Sequence, residues 1–244
     1  QGVAGGHHVE RVGHDPVEAQ ERGGQTPVDG ERRAGQGPRP KRALIEPRVA
    51  LSQPLLVALE GLEQKVEVVH GVVPGSVTVH EGPVEYEVDL RKGQKTGLFL
   101  DQRENRDAAA RYARGRLLDC FSYNGGFGLR LAKQCPEAEA IDISADAVAR
   151  IRTNADRNGV SHLVAREANV FDELRRLERA GARYDTIVLD PPAFAKNKTS
   201  VPNALAGYKE INLRAMRLLT PGGYLITSSC SYNVNEDAFG ATLH

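Results

Sequence analysis

The sequence TIVLDPPAF, residues 186–194, decides the fold of this 244-residue chain. Its β-branched run predicts a buried strand, which ends in the carboxylate of Asp190 and a stiff loop closed by Phe194. A second apolar run, GYLIT at residues 223–227, ends in Ser-Ser-Cys-Ser, with its thiol at Cys230. Two parallel strands would bring both tips to one carboxyl edge, where open α/β sheets hold their ligands. A carboxylate and a thiol at such an edge indicate covalent chemistry on a planar base.

Apolar runs alternate with amphipathic segments from Arg116 onward. The predicted strands are Leu117–Phe121, Ala140–Ile143, His162–Ala165, Thr186–Leu189 and Gly223–Thr227. One predicted helix has Ser144 as its N-cap and ends at Gly159, and another carries an apolar stripe from Leu205 to Leu218. Strands and helices that alternate in this way predict an α/β fold with a parallel, doubly wound sheet.

Charge and cysteine content narrow the class of protein. The 32 basic and 32 acidic residues give no net charge, so any affinity for nucleic acid must come from local patches. The odd count of three cysteines, without CxxC spacing, argues against a disulfide framework and favours a reduced, cytoplasmic setting. We find no predicted membrane span, signal peptide or metal-ligand spacing. The oligomeric state stays open.

The N-terminal part of the chain differs from the rest in composition. All thirteen aromatic residues lie between Tyr86 and Phe239, and residues 1–42 show no apolar period. A segment of this kind cannot bury enough surface to offset its ordering entropy, so we expect residues 1–60 to be an unassigned, disordered leader. Short alternating runs predict a small β-hairpin connecting segment over residues 61–107. The main domain would then be residues 108–244.

A glycine turn follows the first strand of the alternating region. It comprises Ser122, Tyr123, Asn124, Gly125 and Gly126. Glycines there let the backbone approach a ligand, and the helix start offers unpaired N–H groups; a plain tight turn is the alternative. Asp142, about twenty residues further on, ends the next strand, where an acid accepts the hydroxyls of an adenosine ribose. Asn169 follows the third strand and could meet an adenine edge. Since no pyrophosphate signature is present, S-adenosylmethionine fits better than a dinucleotide.

Four ordered motifs resemble the ribosomal large subunit methyltransferase I family. They are Gly93–Gly97 with Asp101–Arg106, Asp119–Phe127, Asp190–Phe194 and Ser229–Ser231. The resemblance implies a class I S-adenosylmethionine-dependent methyltransferase fold and methylation of a cytosine C5 in large-subunit ribosomal RNA. It implies that the cofactor is held by Ser122, Tyr123, Asn124, Gly125, Gly126, Asp142, Asn169 and Asp190. It also implies that Cys230 is the nucleophile, with Asp190 as its catalytic partner.

The chemistry explains these residue types independently. Cytosine C5 is too electron-poor to take a methyl group until a thiolate adds to C6, and Asp190 could hold N3 and the exocyclic amine meanwhile. The target base must first leave its stack. Two alternatives stay open, because Asp-Pro-Pro-aromatic loops also occur in enzymes that methylate exocyclic amines, and a silent fragment could bind cofactor or RNA without turnover. Cys230 could also be a small packing residue.

Several side chains that border the predicted cleft suit RNA. Arg103 and Arg106 precede the first strand of the alternating region, and Lys196 follows the Asp-Pro-Pro loop. Cations at these places would meet phosphates, and Phe194 would grip a base. A solvated charged surface is the alternative for each cation.

Both ends of the chain depart from the family pattern. The family carries a small N-terminal RNA-binding β domain of the PUA type, whose strands and aromatics are absent from residues 1–60. We therefore expect an atypical N-terminus that is not native to the family. Beyond the last predicted strand and its Ser-Ser-Cys-Ser tip, only Asn235–His244 remain for further elements, enough for part of a helix. We therefore expect a truncated domain with an exposed edge beside that strand and reduced stability.

Overall fold

The computed structural model describes residues 8–11, 48–51, 66–90 and 97–243. The chain divides into two compact units, one of residues 1–13 with 74–244 and one of residues 14–73. In the second unit β2 (Arg48–Leu51) pairs antiparallel with β3 (Val66–His70). The first unit contains every candidate site residue that the structure describes.

The first unit is built on a six-stranded sheet. Its strands are β1 (His8–Arg11), β6 (Arg116–Cys120), β7 (Glu137–Asp142), β8 (Leu163–Glu167), β9 (Tyr184–Leu189) and β10 (Leu219–Thr227). The order across the sheet is β1-β10-β9-β6-β7-β8; β1 runs antiparallel to β10, and the other neighbours are parallel. The chain direction across the sheet reverses between β6 and β9, which opens a ligand crevice at their carboxyl ends.

Helices cover both faces of this sheet, so the predicted doubly wound α/β fold is confirmed. They are α1 (Arg103–Ala110), α2 (Gly126–Ala132), α3 (Ala145–Arg157), α4 (Val170–Arg179), α5 (Val201–Leu218) and α6 (Glu236–Gly240). Alternate strand residues supply two cores: Leu117 packs with α1 to α3, whereas the next residue, Leu118, packs with α4 to α6. This is the period of two that a sheet buried on both faces requires.

The sequence pattern predicted the ends of α3 well and the start of α1 less well. The Ser144 hydroxyl accepts a hydrogen bond from the N–H of Ala147, and Gly159 takes a φ of 65° just after the helix, as the predicted cap and stop require. Helix α1 begins at Arg103, whereas the sequence predicted a helix over Asp107–Ala113. Its first turn is polar, and the residue that it buries is Arg106, so no apolar period marks where the helix begins.

The hairpin of β4 (Val77–Glu81) and β5 (Val84–Val88) docks on α3. The backbone N–H groups of Glu85 and Glu87 donate to the side-chain oxygens of Asn158 and Asn154, at 2.9 and 2.8 Å. The hairpin therefore belongs to the compact unit that carries the sheet. The predicted ranges 61–107 and 108–244 stay a prediction.

The predicted exposed edge beside the last strand is wrong. Strand β1 pairs with the outer side of β10, from His8 opposite Thr227 to Arg11 opposite Tyr224. Strands β1 and β2 both lie within residues 1–60, where the sequence predicted disorder, and the prediction fails at these eight positions. The other residues of that range lie outside the described residues. Within the described part, no helix is long and apolar enough to cross a bilayer.

Candidate active site

The ends of β9 and β10 place Asp190 beside Ser228. Leu189 is the register partner of both Cys120 and Thr227, so the residues that follow these three positions lie at one level. The Ser228 hydroxyl donates a hydrogen bond to the Asp190 carboxylate, and the Ser228 N–H donates to the Leu189 carbonyl at 3.0 Å. The two tips that the sequence predicted at one edge therefore meet there.

Cys230 is exposed on the loop after β10, whereas Cys120 and Cys135 are buried. The Cys230 thiol donates to the carbonyl of Pro191 at 3.5 Å, which links its loop to the Asp-Pro-Pro loop. Burial raises the pKa of the Cys120 thiol and raises that of Cys135 to about 11, so both stay protonated at neutral pH. Cys230 is thus the cysteine that a substrate can reach.

The glycine turn has an unusual backbone. Phe121 and Tyr123 take positive φ values of 62° and 53°, and Gly125 takes 85°. Positive φ costs a residue with a side chain about 1–3 kcal/mol, so other contacts must hold the turn. One such contact is the Tyr123 N–H, which donates to the Asp142 carboxylate at 2.8 Å.

Contacts with Gly97, α3 and β5 support the inner side of this turn. The Asn124 amide donates to the Gly97 carbonyl at 2.8 Å, and the Asn124 carbonyl accepts from Asn154 at 3.3 Å. The Tyr86 hydroxyl donates to the Gly126 carbonyl at 3.2 Å. These contacts fix the turn from one side. The neighbouring motif residues 93–96 lie outside the described residues.

Arg106 does not face solvent, and the prediction that it binds RNA is wrong. Its side chain is 3% exposed and forms a two-pronged ion pair with Glu81, with N–O distances of 2.7 and 2.5 Å. It also donates to the Phe99 carbonyl at 3.0 Å. A Cβ on Gly126 would lie 3.1 Å from this guanidinium, so Arg106 packs directly behind the glycine turn.

Asp142 and Ser122 both hold the turn from within. The buried Ser122 hydroxyl donates to the Asp119 carbonyl at 2.8 Å and accepts from the Ile141 N–H at 3.2 Å. The two Asp142 oxygens accept from the N–H groups of Tyr123 and Ser144, at 2.8 and 2.9 Å. Since a carboxylate oxygen has two lone pairs, Asp142 keeps capacity for ribose hydroxyls.

Sequence reasoning missed the role of Asp119. Its buried carboxylate accepts a hydrogen bond from the Gly128 N–H at 2.8 Å, and a Cβ on Gly128 would lie 2.8 Å from the same oxygen. Burial raises the pKa of Asp119 to about 7. The available signal was an acid next to the last residue of an apolar strand, directly before a glycine turn.

The other predicted site residues fall into two groups. Asn169 caps α4, accepting from the Phe171 N–H at 3.0 Å, and the Phe194 ring packs 4.6 Å from that of Tyr208. Arg103 and Lys196 are exposed. The adenine role of Asn169, the base-gripping role of Phe194 and the RNA roles of the two cations stay predictions.

A cavity of about 120 Å³ lies beside Asp190, between the sheet and α1. Its polar lining is Gln102, Asn105, Asp190, Thr227 and Ser228, and its apolar lining is Ala108, Phe127, Val188, Leu189 and Ile226. The Asn105 amide donates to the Gln102 side-chain oxygen at 2.8 Å, which fixes both amide groups. A mixed lining of this kind suits an amino-acid group with an apolar stem. Among the described residues, no cluster of His, Cys, Asp or Glu could hold a metal ion.

A doubly wound sheet with a glycine turn, an acid at the end of its second parallel strand and a cavity at the switch point is the arrangement of a Rossmann-like methyltransferase. The chain belongs to the S-adenosylmethionine-dependent methyltransferase family, which matches residues 63–243. The predicted cofactor, S-adenosylmethionine, is thereby confirmed.

Known relatives also confirm the resemblance seen in the motifs. The chain is 45% identical over 185 residues to Ribosomal RNA large subunit methyltransferase I of Shewanella denitrificans, covering 74% of this chain and 47% of that protein. The Aeromonas salmonicida protein of the same name is 43% identical over 185 residues, with the same coverage. The chain spans about half the length of these relatives. The crystal structure of SMU.776 complexed with SAH has a TM-score of 0.64 at 26% identity, over 73% of this chain and 48% of that one.

Proposed function

We propose that this chain carries the chemistry of a methyltransferase acting on C5 of a cytosine in large-subunit ribosomal RNA. The observation that carries the proposal is the exposed Cys230 thiol, which donates to the carbonyl of Pro191, the residue after Asp190. The relatives named as ribosomal RNA large subunit methyltransferase I support the choice of RNA. An RNA substrate of this kind implies a cytoplasmic location.

The residues present fit the cofactor. A Cβ on Gly126 would lie 3.1 Å from Arg106, and a Cβ on Gly128 would lie 2.8 Å from Asp119. Side chains are therefore excluded at these two positions, and the backbone itself would face the ligand. Asp142 would accept the ribose hydroxyls, Asn169 would meet the adenine, and the cavity beside Asp190 would take the amino-acid end. When bound, the cofactor supplies an electrophilic methyl group.

Cys230 would act as the nucleophile on the ring. Its thiolate adds to C6, and the electron pair of the C5–C6 double bond makes C5 nucleophilic enough to take the methyl group. Loss of the C5 proton to a base then restores the double bond as the C6–S bond breaks and the thiolate leaves. Because the thiol donates to the Pro191 carbonyl at 3.5 Å, it must lose its proton once the base is bound.

Asp190 would hold the target base during this sequence. The Ser228 hydroxyl donates to one of its oxygens, which orients the carboxyl group towards the cleft. A carboxyl group placed this way can contact N3 and the exocyclic amine, and it stabilises the charge that develops on the ring after thiolate addition.

Tritium release tests the proposal. Ribosomal RNA transcribed with [5-³H]cytidine should lose one tritium for each methyl group transferred, because C5 methylation replaces that atom. Cys230→Ala should abolish both signals, whereas Cys135→Ala, which removes a buried thiol away from the site, should keep both. Methyl transfer without tritium release would contradict the proposal.

Methylation of an exocyclic amine is the second candidate, because the Asp190 carboxyl on an Asp-Pro-Pro loop can bind an amine without help from a cysteine. It predicts methyl transfer that survives Cys230→Ala and is lost in Asp190→Ala. The tritium experiment therefore separates the two functions in one assay.

A further inference from the structure

Tyr232 stands out because it is 93% exposed. Among the large hydrophobic side chains that the structure describes, it is the most exposed. A tyrosine ring left in water forgoes the free energy of burial, and such rings are typical of surfaces that bind a partner. Tyr232 lies two residues beyond Cys230.

The exposure of Tyr232 arises from a turn that is anchored on both sides. On one side Ser231 is buried; its hydroxyl accepts from the Ala195 N–H at 3.0 Å and bonds the Tyr208 hydroxyl at 2.8 Å. On the other side the Val234 N–H donates to the Ser231 carbonyl at 2.9 Å, and the Val234 side chain packs against the core. The backbone therefore presents the ring to solvent in a defined place.

The same Ser231 contact links this turn to a segment that carries a cation. Ser231 precedes Tyr232, and Ala195 precedes the exposed Lys196. The hydrogen bond from the Ala195 N–H to the Ser231 hydroxyl thus joins the residue before the ring to the residue before Lys196. An exposed ring next to a cation is the combination with which proteins bind single-stranded nucleic acid.

Phe194 is poorly placed for this task. Its ring lies 4.6 Å from that of Tyr208 and 5.8 and 6.3 Å from those of Phe171 and Phe121. Stacking on a base would require it to leave these neighbours. Tyr232 has its ring in solvent already.

We propose that Tyr232 stacks on a nucleotide beside the target base in single-stranded RNA, with Lys196 at its phosphate. The inference rests on the proposed function and adds a residue that contacts the substrate outside the reacting centre. A flipped target base leaves its neighbours unstacked, and an aromatic ring replaces part of the lost stacking. Loss of the ring should weaken RNA binding about tenfold or more.

The chain contains no tryptophan, so Tyr232→Trp places a single reporter at this position. Titration with unmodified large-subunit ribosomal RNA made by transcription should quench its emission, since a stacked base quenches indole fluorescence. The matched control is Tyr112→Trp, at a ring that is 42% exposed and packs on Tyr224, whose emission should stay unchanged. RNA binding without quenching at position 232 would overturn the inference.

A second pair of variants measures the contribution of the ring. Tyr232→Ala should raise the KM for RNA about tenfold, Tyr232→Phe should restore it, and both should bind S-adenosylmethionine like the parent chain. A Tyr232→Ala variant that methylates RNA with the parent KM would overturn the inference and leave the proposed function intact. A parent chain that neither binds nor methylates RNA would overturn the proposed function, and the inference with it.

Discussion

At the scale of single residues, the site depends on buried polar groups that lie behind the ligand surface. Asp119, Arg106 and Ser122 all point inward and hold the glycine turn by hydrogen bonds or packing. A turn with two residues at positive φ needs such support, because its backbone is strained before any ligand binds.

Asp119 should make stability fall with rising pH. Its pKa is about 7 in the folded chain, against an ordinary value of 3.8, so the folded state binds more protons between these pH values. The contribution of Asp119 to stability is then largest below about pH 4 and declines to a plateau above pH 7, by at most about 4 kcal/mol. We expect the urea midpoint of the parent chain to fall relative to that of Asp119→Asn from pH 4.5 to 7.5. Parallel curves would contradict this.

Arg106 should contribute to stability, because its partner is buried with it. Arg106→Ala leaves Glu81 buried without its guanidinium and should lower the free energy of unfolding by about 3–5 kcal/mol. Arg106→Lys should recover little, since one ammonium cannot replace the two-pronged contact. Urea unfolding measures both. The exposed neighbour Arg103 is the control, and an Arg103→Ala variant as unstable as Arg106→Ala would refute the argument.

The sequence identified the turn and the acid that lie at the sheet edge better than the residues that support them. The glycine turn and Asp142 could be found because they carry local signals, at a strand end and a helix start. The pairing of Arg106 with Glu81 spans 25 residues along the chain and leaves no local pattern. The sequence therefore presented Arg106 as one more surface cation.

At the scale of elements, the Asp-Pro-Pro loop and the loop after β10 are linked because Ser231 joins them. Its hydroxyl bonds the backbone of the Asp-Pro-Pro loop at Ala195 and the Tyr208 hydroxyl on α5. The position of Cys230 relative to Asp190 thus depends on a side chain that faces away from the cleft.

Ser231→Ala should therefore slow chemistry more than it weakens cofactor binding. The loss of two hydrogen bonds should cost about 1 kcal/mol each in stability, while the loosened loop lowers the rate of methyl transfer. Single-turnover assays and calorimetry with S-adenosylmethionine measure the two effects separately. Ser161→Ala, an exposed serine away from the site, should leave both unchanged. Equal losses in rate and cofactor affinity would point to general disruption of the site instead.

The five parallel strands could be predicted because buried parallel strands are apolar runs of recognisable length. Strand β1, with the sequence HVER, carries no such run and joins the sheet through backbone hydrogen bonds to β10. Backbone pairing of this kind is independent of side-chain pattern, so the edge beside β10 was wrongly predicted to be open.

At the scale of the whole molecule, the cofactor should stabilise the fold by mass action. S-adenosylmethionine at about 100 times its Kd should add about 2.7 kcal/mol, which raises the Tm by roughly 5–10 °C. Asp142→Ala should abolish this shift, whereas Asp146→Ala, at an exposed acid in the first turn of α3, should retain it. Thermal unfolding followed by circular dichroism provides the measurement. An undiminished shift in Asp142→Ala would remove that residue from the cofactor site.

The whole chain has no net charge, so the proposed affinity for RNA would come from local groups on the rim of the cleft rather than from a global field. The rim combines Cys230, Tyr232 and Lys196 on two loops joined through one serine. A thiol that attacks the base, a ring for its neighbour and a cation for phosphate would then act together.

Covalent trapping tests the central claim most directly. Ribosomal RNA transcribed with 5-fluorocytidine cannot lose its C5 substituent as a proton, so attack by Cys230 followed by methyl transfer should leave a stable protein–RNA adduct. Mass spectrometry of the digested adduct should place the nucleotide on Cys230, and Cys230→Ala should form none. An adduct on another residue, or methylation of the RNA without any adduct, would contradict the account.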